Sequence, residues 1–307
     1  MKKLGLKGII PATVLPMDKS YKIDEKSLKS YIRWLTSFGK LGAVAVNADT
    51  GEGPHLTQEE RIKVVKTYKK ELKGSIPIIS GLSARYTEEA VRFGKELTKA
   101  GADALLIFPI GAFAGQPLTW KVPYYYYKTI SDKVNIPMVA FQLQPALGGA
   151  FFDEETILKL ISIKNVIALK EASFDAVKFY QTLSILRKAD RKITFLTGND
   201  NFIYESFLMG ATGALIGFGT ILVREQIEMF NAAVNRNYYL GEKLNNIVAP
   251  LADFVFKSPA RDYRVRLKES LKWMGVIKHS YVRPPLLPLE PKETTKLRVA
   301  LKRAKIL

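Results

Sequence analysis

Cysteine is absent from the 307 residues, and histidine occurs only twice, as His55 and His279. The lack of cysteine excludes disulfides, a thiol nucleophile and a thiolate metal site. Two histidines are also a poor supply for a histidine metal centre or a Ser/His/Asp triad. If the protein is an enzyme, lysine, carboxylate or hydroxyl groups must carry its chemistry, and we expect no metal.

Long apolar runs are also absent. No stretch of about 18 uncharged apolar residues occurs, as a membrane-spanning helix would need. The start of the chain, MKKLGLKGIIPATVLP, lacks an apolar segment of signal-peptide length. The apolar fraction of 47% is ample for a folded core. We therefore expect a soluble, cytoplasmic protein with no membrane partner.

Negative charge is scarce, since 47 Lys and Arg residues stand against 29 Asp and Glu, for a net charge of +18. Clustered cations would bind nucleic-acid phosphates, but here the basic residues are spread along the whole chain. No basic arm, zinc-finger spacing or RNP-like aromatic signature occurs. We expect no nucleic-acid partner, and a positive field that attracts small anions such as carboxylates.

Short apolar runs alternate with helical patterns along the chain. Eight runs predict strands: residues 8–14, 41–48, 76–81, 102–109, 136–142, 166–170, 193–198 and 213–218. This alternation predicts an α/β fold, a (β/α)8 TIM barrel, rather than an open doubly wound sheet. No glycine-rich dinucleotide fingerprint follows the first strand. From about Arg224 the pattern is helical only, so we predict a barrel over 1–235 and a C-terminal helical extension over 236–307.

Several predicted helices carry end signals. Thr57 is followed three residues later by Glu60, which is the pattern of a capping box. Gly39 and Gly101 are placed to end the helices before them. The final segment, residues 292–307, is basic and amphipathic, which favours surface packing on the barrel over membrane binding.

The segment VIALKEASF places a lysine, Lys170, at the end of a strand predicted to be buried on both faces. In a (β/α)8 barrel, catalytic groups lie at the C-terminal ends of the strands. Apolar neighbours disfavour the ammonium form and lower the pKa of a lysine, and a neutral amine can attack a carbonyl to form an imine. The alternative is that Lys170 reaches solvent or pairs with Glu171, and position alone does not decide between the two.

Five segments together resemble the dihydrodipicolinate synthase/N-acetylneuraminate lyase (DapA-like) family of class I Schiff-base lyases, in the family's order. They are GIIPATVLPMDKSYKID, NADTGEGPHLTQEER, GADALLIFP, VIALKEASFD and FLTGNDNFIYESFLMGATGALIG. The resemblance implies a (β/α)8 barrel, an imine-forming lysine at Lys170 and no cofactor. It also implies pyruvate or another 2-oxo acid as substrate, and a homotetramer or dimer.

The DTGE segment resembles the family's turn after the second strand, where a hydroxyl and backbone amides hold the substrate carboxylate. Thr50 matches that hydroxyl residue, and Gly51 would let backbone amides approach the anion. Glu52 is expected to organise the loop through hydrogen bonds. Asp49 stands where the family has another hydroxyl, and its charge would repel a carboxylate unless it is protonated or offset by Lys170. A turn without function, followed by a capped helix, is the alternative for Thr50.

The fifth strand departs from the family, because AFQLQPALGG lacks the tyrosine that shuttles protons to and from the imine. Either Phe141 or Gln142 holds that position, and neither is a useful acid or base near neutral pH. Leu147 stands where dihydrodipicolinate synthases have an arginine for a second carboxylate, which argues against that activity. We hypothesise that Asp49 takes over proton transfer.

The ends of the last two strands supply further candidates for substrate binding, namely Gly198, Asp200 and Ile216. Asp200 could contact substrate hydroxyls, or Asn199 or Asp200 could be the N-cap of the next helix.

Three functions are therefore compared. The favoured one is a Schiff-base lyase, either an aldolase that uses pyruvate or a dehydratase of a 3-deoxy-2-oxo sugar acid. The second is a barrel that binds 2-oxo acids but has lost turnover. The third, a polyanion binder, is the least favoured.

Overall fold

The computed structural model describes residues 4–115 and 117–307, and in that part of the chain eight parallel strands alternate with eight helices before three more helices follow. The strands are β1 (Gly8–Pro11), β2 (Val44–Val46), β3 (Ile78–Leu82), β4 (Ala104–Ile107), β5 (Met138–Leu143), β6 (Val166–Ala172), β7 (Thr194–Thr197) and β8 (Gly213–Ile216). The barrel helices are α1 (Glu25–Leu35), α2 (Gln58–Leu72), α3 (Thr87–Ala100), α4 (Lys121–Val134), α5 (Glu154–Ser162), α6 (Ala176–Lys188), α7 (Ile203–Met209) and α8 (Val223–Val234). The C-terminal helices are α9 (Tyr238–Phe256), α10 (Tyr263–Trp273) and α11 (Pro291–Arg303).

The eight strands form one barrel, in which β1 pairs with β8 and each strand from β2 to β7 pairs with the next. The last gap, between β1 and β2, is bridged where Ala12 pairs with Ala45 and the Thr13 amide donates to the Ala45 carbonyl at 2.9 Å. Each predicted apolar run matches one strand, and β3, β5 and β6 extend one or two residues past the ends of their runs. The predicted (β/α)8 barrel with C-terminal helices is therefore confirmed.

Strand residues alternate between the barrel interior and the helix layer. On β6, Ala168 and Ala172 belong to the small interior core, so Lys170, which lies between them in the alternation, also faces the interior. Glu171 faces outward towards the helices. Small interior residues such as Ala12 and Ala48 leave space at the C-terminal end of the barrel, where they line a cavity.

The helix ends follow local chemistry. Thr57 and Glu60 form the predicted capping box at the start of α2, and Gly101 ends α3 with a φ of 113°. The prediction for Gly39 is wrong, because α1 already ends at Leu35. The Thr36 amide and hydroxyl both donate to the Ile32 carbonyl, at 3.1 and 2.9 Å. Thr36 is therefore the C-cap of α1, three residues before Gly39.

The three C-terminal helices connect back to the barrel. The first turn of α10 lies against the loop that follows β2, through hydrogen bonds described below. The amphipathic α11 buries Leu297 and Leu301 and packs on α9 and α10 rather than on the barrel itself. Among the described residues, no helix is both long and apolar enough to cross a membrane.

Candidate active site

A cavity of about 550 Å³ lies at the C-terminal end of the barrel, where the family-like residues were expected to meet. Six of the nine predicted site residues line it: Asp49, Thr50, Phe141, Lys170, Gly198 and Asp200. They come from the loop after β2, from β5 and β6, and from the loop after β7. The fold therefore gathers groups from four segments that lie far apart in the sequence.

Lys170 lies at the base of this cavity with only 9% of its surface exposed. Its Nζ is 4.1 Å from the centre of the Phe141 ring, and within the described residues it makes no hydrogen bond or ion pair. Burial lowers the pKa of Lys170 to about 8, although the carboxylates of Asp200 and Asp49 act in the opposite direction. An appreciable fraction of the amine is therefore neutral, and thus nucleophilic, near neutral pH.

Gly198 makes room for the Lys170 side chain. A Cβ atom at this position would lie 2.5 Å from Lys170 Cε and 2.9 Å from Ala172 Cβ. Because Lys170 cannot occupy its observed position beside a larger residue, Gly198 provides space for the lysine.

Glu171 is not a partner of Lys170, which excludes the pairing considered from the sequence. Its carboxylate lies on the outer face of β6 and accepts hydrogen bonds from Asn199 Nδ2 at 2.7 Å and from the Ser173 amide at 3.0 Å. Gln142 lies on the same outer layer, where it contacts Glu171 and donates to Thr182 Oγ1 at 3.1 Å. Gln142 does not line the cavity, so Phe141 holds the position that faces Lys170.

The loop after β2 forms a short 3₁₀ turn, Asp49–Gly51, which presents Thr50 to the cavity. The Gly51 amide donates to the Ala48 carbonyl at 3.1 Å, and Gly51 does not line the cavity. A Cβ on Gly51 would lie 2.7 Å from the Thr13 carbonyl oxygen. The glycine is thus needed for close packing against Thr13. The expected role was a different one, in which Gly51 would let backbone amides approach the substrate carboxylate.

Glu52 anchors this loop to the C-terminal region. It has a left-handed backbone with a φ of 56°, and its buried carboxylate accepts hydrogen bonds from Lys268 Nζ and from the Arg283 amide. Its expected role in organising the loop therefore has a structural basis, and Lys268 and Arg283 are the partners.

Asp49 is held by two adjacent residues of α10. The Tyr263 hydroxyl donates to Asp49 Oδ2 at 2.8 Å, and Arg264 Nη2 lies 2.5 Å from the same oxygen. Arg264 Nε also donates to the Asp49 carbonyl at 2.9 Å. The negative charge of Asp49, which was expected to be offset by Lys170 or by protonation, is thus paired directly with Arg264.

Tyr263 is a site residue that sequence reasoning missed. It is 7% exposed, lines the cavity, and places its hydroxyl 3.4 Å from Thr50 Oγ1. Its ring stacks on Phe256 with centroids 4.7 Å apart. Burial raises its pKa well above the usual value, so the phenol is neutral. The only sequence signal was its place in the segment FKSPARDYR, which resembles the family's C-terminal helices.

The two remaining candidates have distinct environments. Asp200 is not a helix N-cap, because α7 begins after Phe202; Asp200 lines the cavity and accepts a hydrogen bond from the Phe218 amide at 2.7 Å. Burial raises the pKa of Asp200 to about 7, against the lowering effects of that amide and of Lys170. Ile216 packs in the outer core between strands and helices, and the neighbouring Gly217 lines the cavity instead.

The dihydrodipicolinate synthetase family model matches residues 5–304. The chain belongs to this family. It is 31% identical over 300 residues to the 4-hydroxy-tetrahydrodipicolinate synthase of Thermodesulfovibrio yellowstonii, covering 97% of this chain and 98% of that protein. The enzyme of the same name from Buchnera aphidicola is 29% identical over 301 residues, with 98% and 99% coverage.

Solved structures agree with this assignment to the dihydrodipicolinate synthetase family. The chloride-inhibited dihydrodipicolinate synthase of Acinetobacter baumannii, solved with pyruvate, matches with a TM-score of 0.87 at 29% identity, over 98% of this chain and 100% of that one. The synthase of Thermotoga maritima matches with a TM-score of 0.89 at 25% identity, over 99% and 100%. The predicted family and the predicted lyase class are thereby confirmed.

Proposed function

We propose that the protein is a Schiff-base lyase that acts on pyruvate or another 2-oxo acid, including 3-deoxy-2-oxo sugar acids, through an imine on Lys170. The observation that carries the proposal is the state of Lys170: a buried lysine with no ion pair among the described residues, at the base of a cavity, with its pKa lowered to about 8. Pyruvate as a ligand of the Acinetobacter baumannii relative supports the substrate class.

The reaction would begin with attack of the neutral Lys170 amine on the 2-oxo carbon. The resulting carbinolamine loses water to give a protonated imine, which withdraws electrons from the adjacent carbon and so favours cleavage or formation of the next bond. Thr50 lines the cavity, and its hydroxyl would bind the substrate carboxylate. Aldol cleavage and dehydration share this imine and its enamine, so both fit the same site.

We further propose that the protein does not serve as a dihydrodipicolinate synthase. Leu147 lines the cavity, where a dihydrodipicolinate synthase is expected to use an arginine for a second carboxylate, and Phe141 supplies no phenol. The corresponding test is an assay for 4-hydroxy-tetrahydrodipicolinate, the product for which the curated relatives are named. Formation of that product at a rate comparable to that of a relative would contradict this part of the proposal.

The proposed partners are small 2-oxo acids alone, without nucleic acid or membrane. A homotetramer or dimer is proposed from the family resemblance, and light scattering during size-exclusion chromatography tests it.

The imine itself is tested by incubating the protein with pyruvate and borohydride, with Lys170→Ala as control. Intact and peptide mass spectrometry should show a reduced adduct on Lys170 in the wild type only. If neither pyruvate nor several longer 2-oxo acids give an adduct, the proposal fails, and the alternative of a 2-oxo-acid-binding barrel without turnover replaces it.

A further inference from the structure

The cavity contains a phenol that reaches it from the C-terminal helices, although the barrel strand facing the lysine carries none. On β5 the residue opposite Lys170 is Phe141, which has no proton to exchange. Tyr263, the first residue of α10, lines the same cavity with its hydroxyl 3.4 Å from Thr50 Oγ1. A tyrosine from a different part of the chain therefore reaches the reaction space.

The Tyr263 hydroxyl is connected to a base that is accessible to solvent. It donates to Asp49 Oδ2 at 2.8 Å, and 37% of the Asp49 side chain is exposed. Both residues line the cavity, and Tyr263 is the more buried of the two. This arrangement provides a path for a proton from the cavity to water.

We propose that Tyr263 and Asp49 form the proton relay of the imine reaction, with Tyr263 exchanging protons with the substrate and Asp49 acting as the terminal base. The proposal rests on the proposed imine at Lys170. It goes beyond the earlier hypothesis that Asp49 acts alone, because it makes the Tyr263 hydroxyl the group that touches the substrate.

The relay conserves atoms and charge. When the pyruvate imine forms its enamine, the C3–H bond breaks and the proton moves to the Tyr263 oxygen, while the Tyr263 proton moves to Asp49 Oδ2. The C3–H electron pair becomes the C2=C3 double bond, and the electrons of the C=N bond return to the Lys170 nitrogen. When the enamine adds to an aldehyde, the same protons move back and the new alkoxide becomes a hydroxyl.

Arg264 is a positioning residue in this arrangement. It contacts both the Asp49 carboxylate and the Asp49 carbonyl, so it fixes the orientation of the base towards Tyr263. Its guanidinium lies against the same carboxylate oxygen that accepts the Tyr263 hydroxyl.

Asp200 is the competing acid–base group in the cavity. Its charge influences the pKa of the Lys170 amine, but its Oδ1 already accepts a hydrogen bond from the Phe218 amide. A base at Asp200 would not involve Tyr263, which allows the two routes to be separated by substitution.

The test uses pyruvate alone and needs no second substrate. In D₂O, enamine formation replaces the hydrogens on C3 with deuterium, which NMR follows, while borohydride trapping measures the imine separately. Tyr263→Phe and Asp49→Asn should trap the imine at close to the wild-type rate but exchange C3 hydrogens about 100-fold more slowly or worse. Tyr180→Phe, at a tyrosine that is 53% exposed on α6, is the matched control and should exchange normally.

Each outcome decides between the proposals. No adduct in the wild type would overturn the imine and the relay together. An adduct in the wild type, with normal exchange in Tyr263→Phe, would overturn the relay alone. Loss of exchange in Asp200→Asn but not in Tyr263→Phe would overturn it in favour of Asp200. Loss of both trapping and exchange in Tyr263→Phe would also overturn it, since Tyr263 would then have a structural role.

Discussion

Two buried lysines, Lys170 and Lys268, occupy opposite kinds of environment. Lys268 is fully buried on α10 and bonds to the Glu52 carboxylate and to the Tyr281 carbonyl at 2.7 Å. The Lys170 amine lies over the Phe141 ring and has no hydrogen bond or ion pair in the described part of the chain. Burial lowers the pKa of both amines. A buried lysine whose amine bonds to a carboxylate and a carbonyl holds structure together, whereas one whose amine has no hydrogen-bond acceptor is available for chemistry.

The two lysines also depend on each other through the loop after β2. Lys268 holds Glu52, and the same loop carries Thr50 and Asp49 into the cavity beside Lys170. Lys268 thus helps to hold the loop whose side chains line the cavity with Lys170.

The largest expected effect is that of Lys170→Met, which removes the amine but keeps similar volume. It should abolish adduct formation with pyruvate completely. The free energy of unfolding in urea should stay equal or rise, because the buried amine has no hydrogen bond or ion pair to lose. A clear loss of stability would indicate that Lys170 also has a structural role and would weaken the comparison.

Lys268→Met should have the reverse effect. It leaves the Glu52 carboxylate buried without its cation, which costs about 3–5 kcal/mol of unfolding free energy. Urea denaturation measures this loss, and Glu52→Gln added to the same chain should recover part of it because no unpaired charge remains. If the single variant lies within about 1 kcal/mol of the wild type, the pair is not the anchor inferred here.

Gly198→Ala tests whether the position of Lys170 matters as much as its identity. The added Cβ would lie 2.5 Å from Lys170 Cε, so the amine must move. A shift of about 1 Å can slow a positioned reaction by about 100-fold, which trapping rates would detect. Gly111→Ala is the control, since no atom lies within 4 Å of its Cβ position. Equal trapping rates in both variants would contradict the tight fit.

The smallest expected effect is that of pH on trapping. With a pKa of about 8 for Lys170, the neutral amine fraction rises with pH and levels off above that value. The initial rate of adduct formation should therefore increase about tenfold between pH 7 and pH 9. An increase that continues steadily to pH 10 would show that Lys170 titrates like an ordinary exposed lysine.

Most of the fold could be predicted from local sequence patterns. Each strand overlaps a predicted apolar run, and Thr57 and Glu60 cap α2 as expected, because these features depend on neighbouring residues. The choice between Phe141 and Gln142 could not be made from sequence, since a shift of one residue moves a strand side chain to the opposite face. The backbone register places Phe141 opposite Lys170 and Gln142 opposite Glu171.

The sequence by itself determined the barrel and the family and named Lys170 as the candidate nucleophile, because apolar periodicity is a local signal and five segments resemble those of the family in order. Only the tertiary structure decided which residues contact Asp49. Its partners Tyr263 and Arg264 follow it by more than 200 residues and contact it only because α10 returns to the mouth of the barrel. No local pattern encodes such a contact, since it depends on the packing of whole elements.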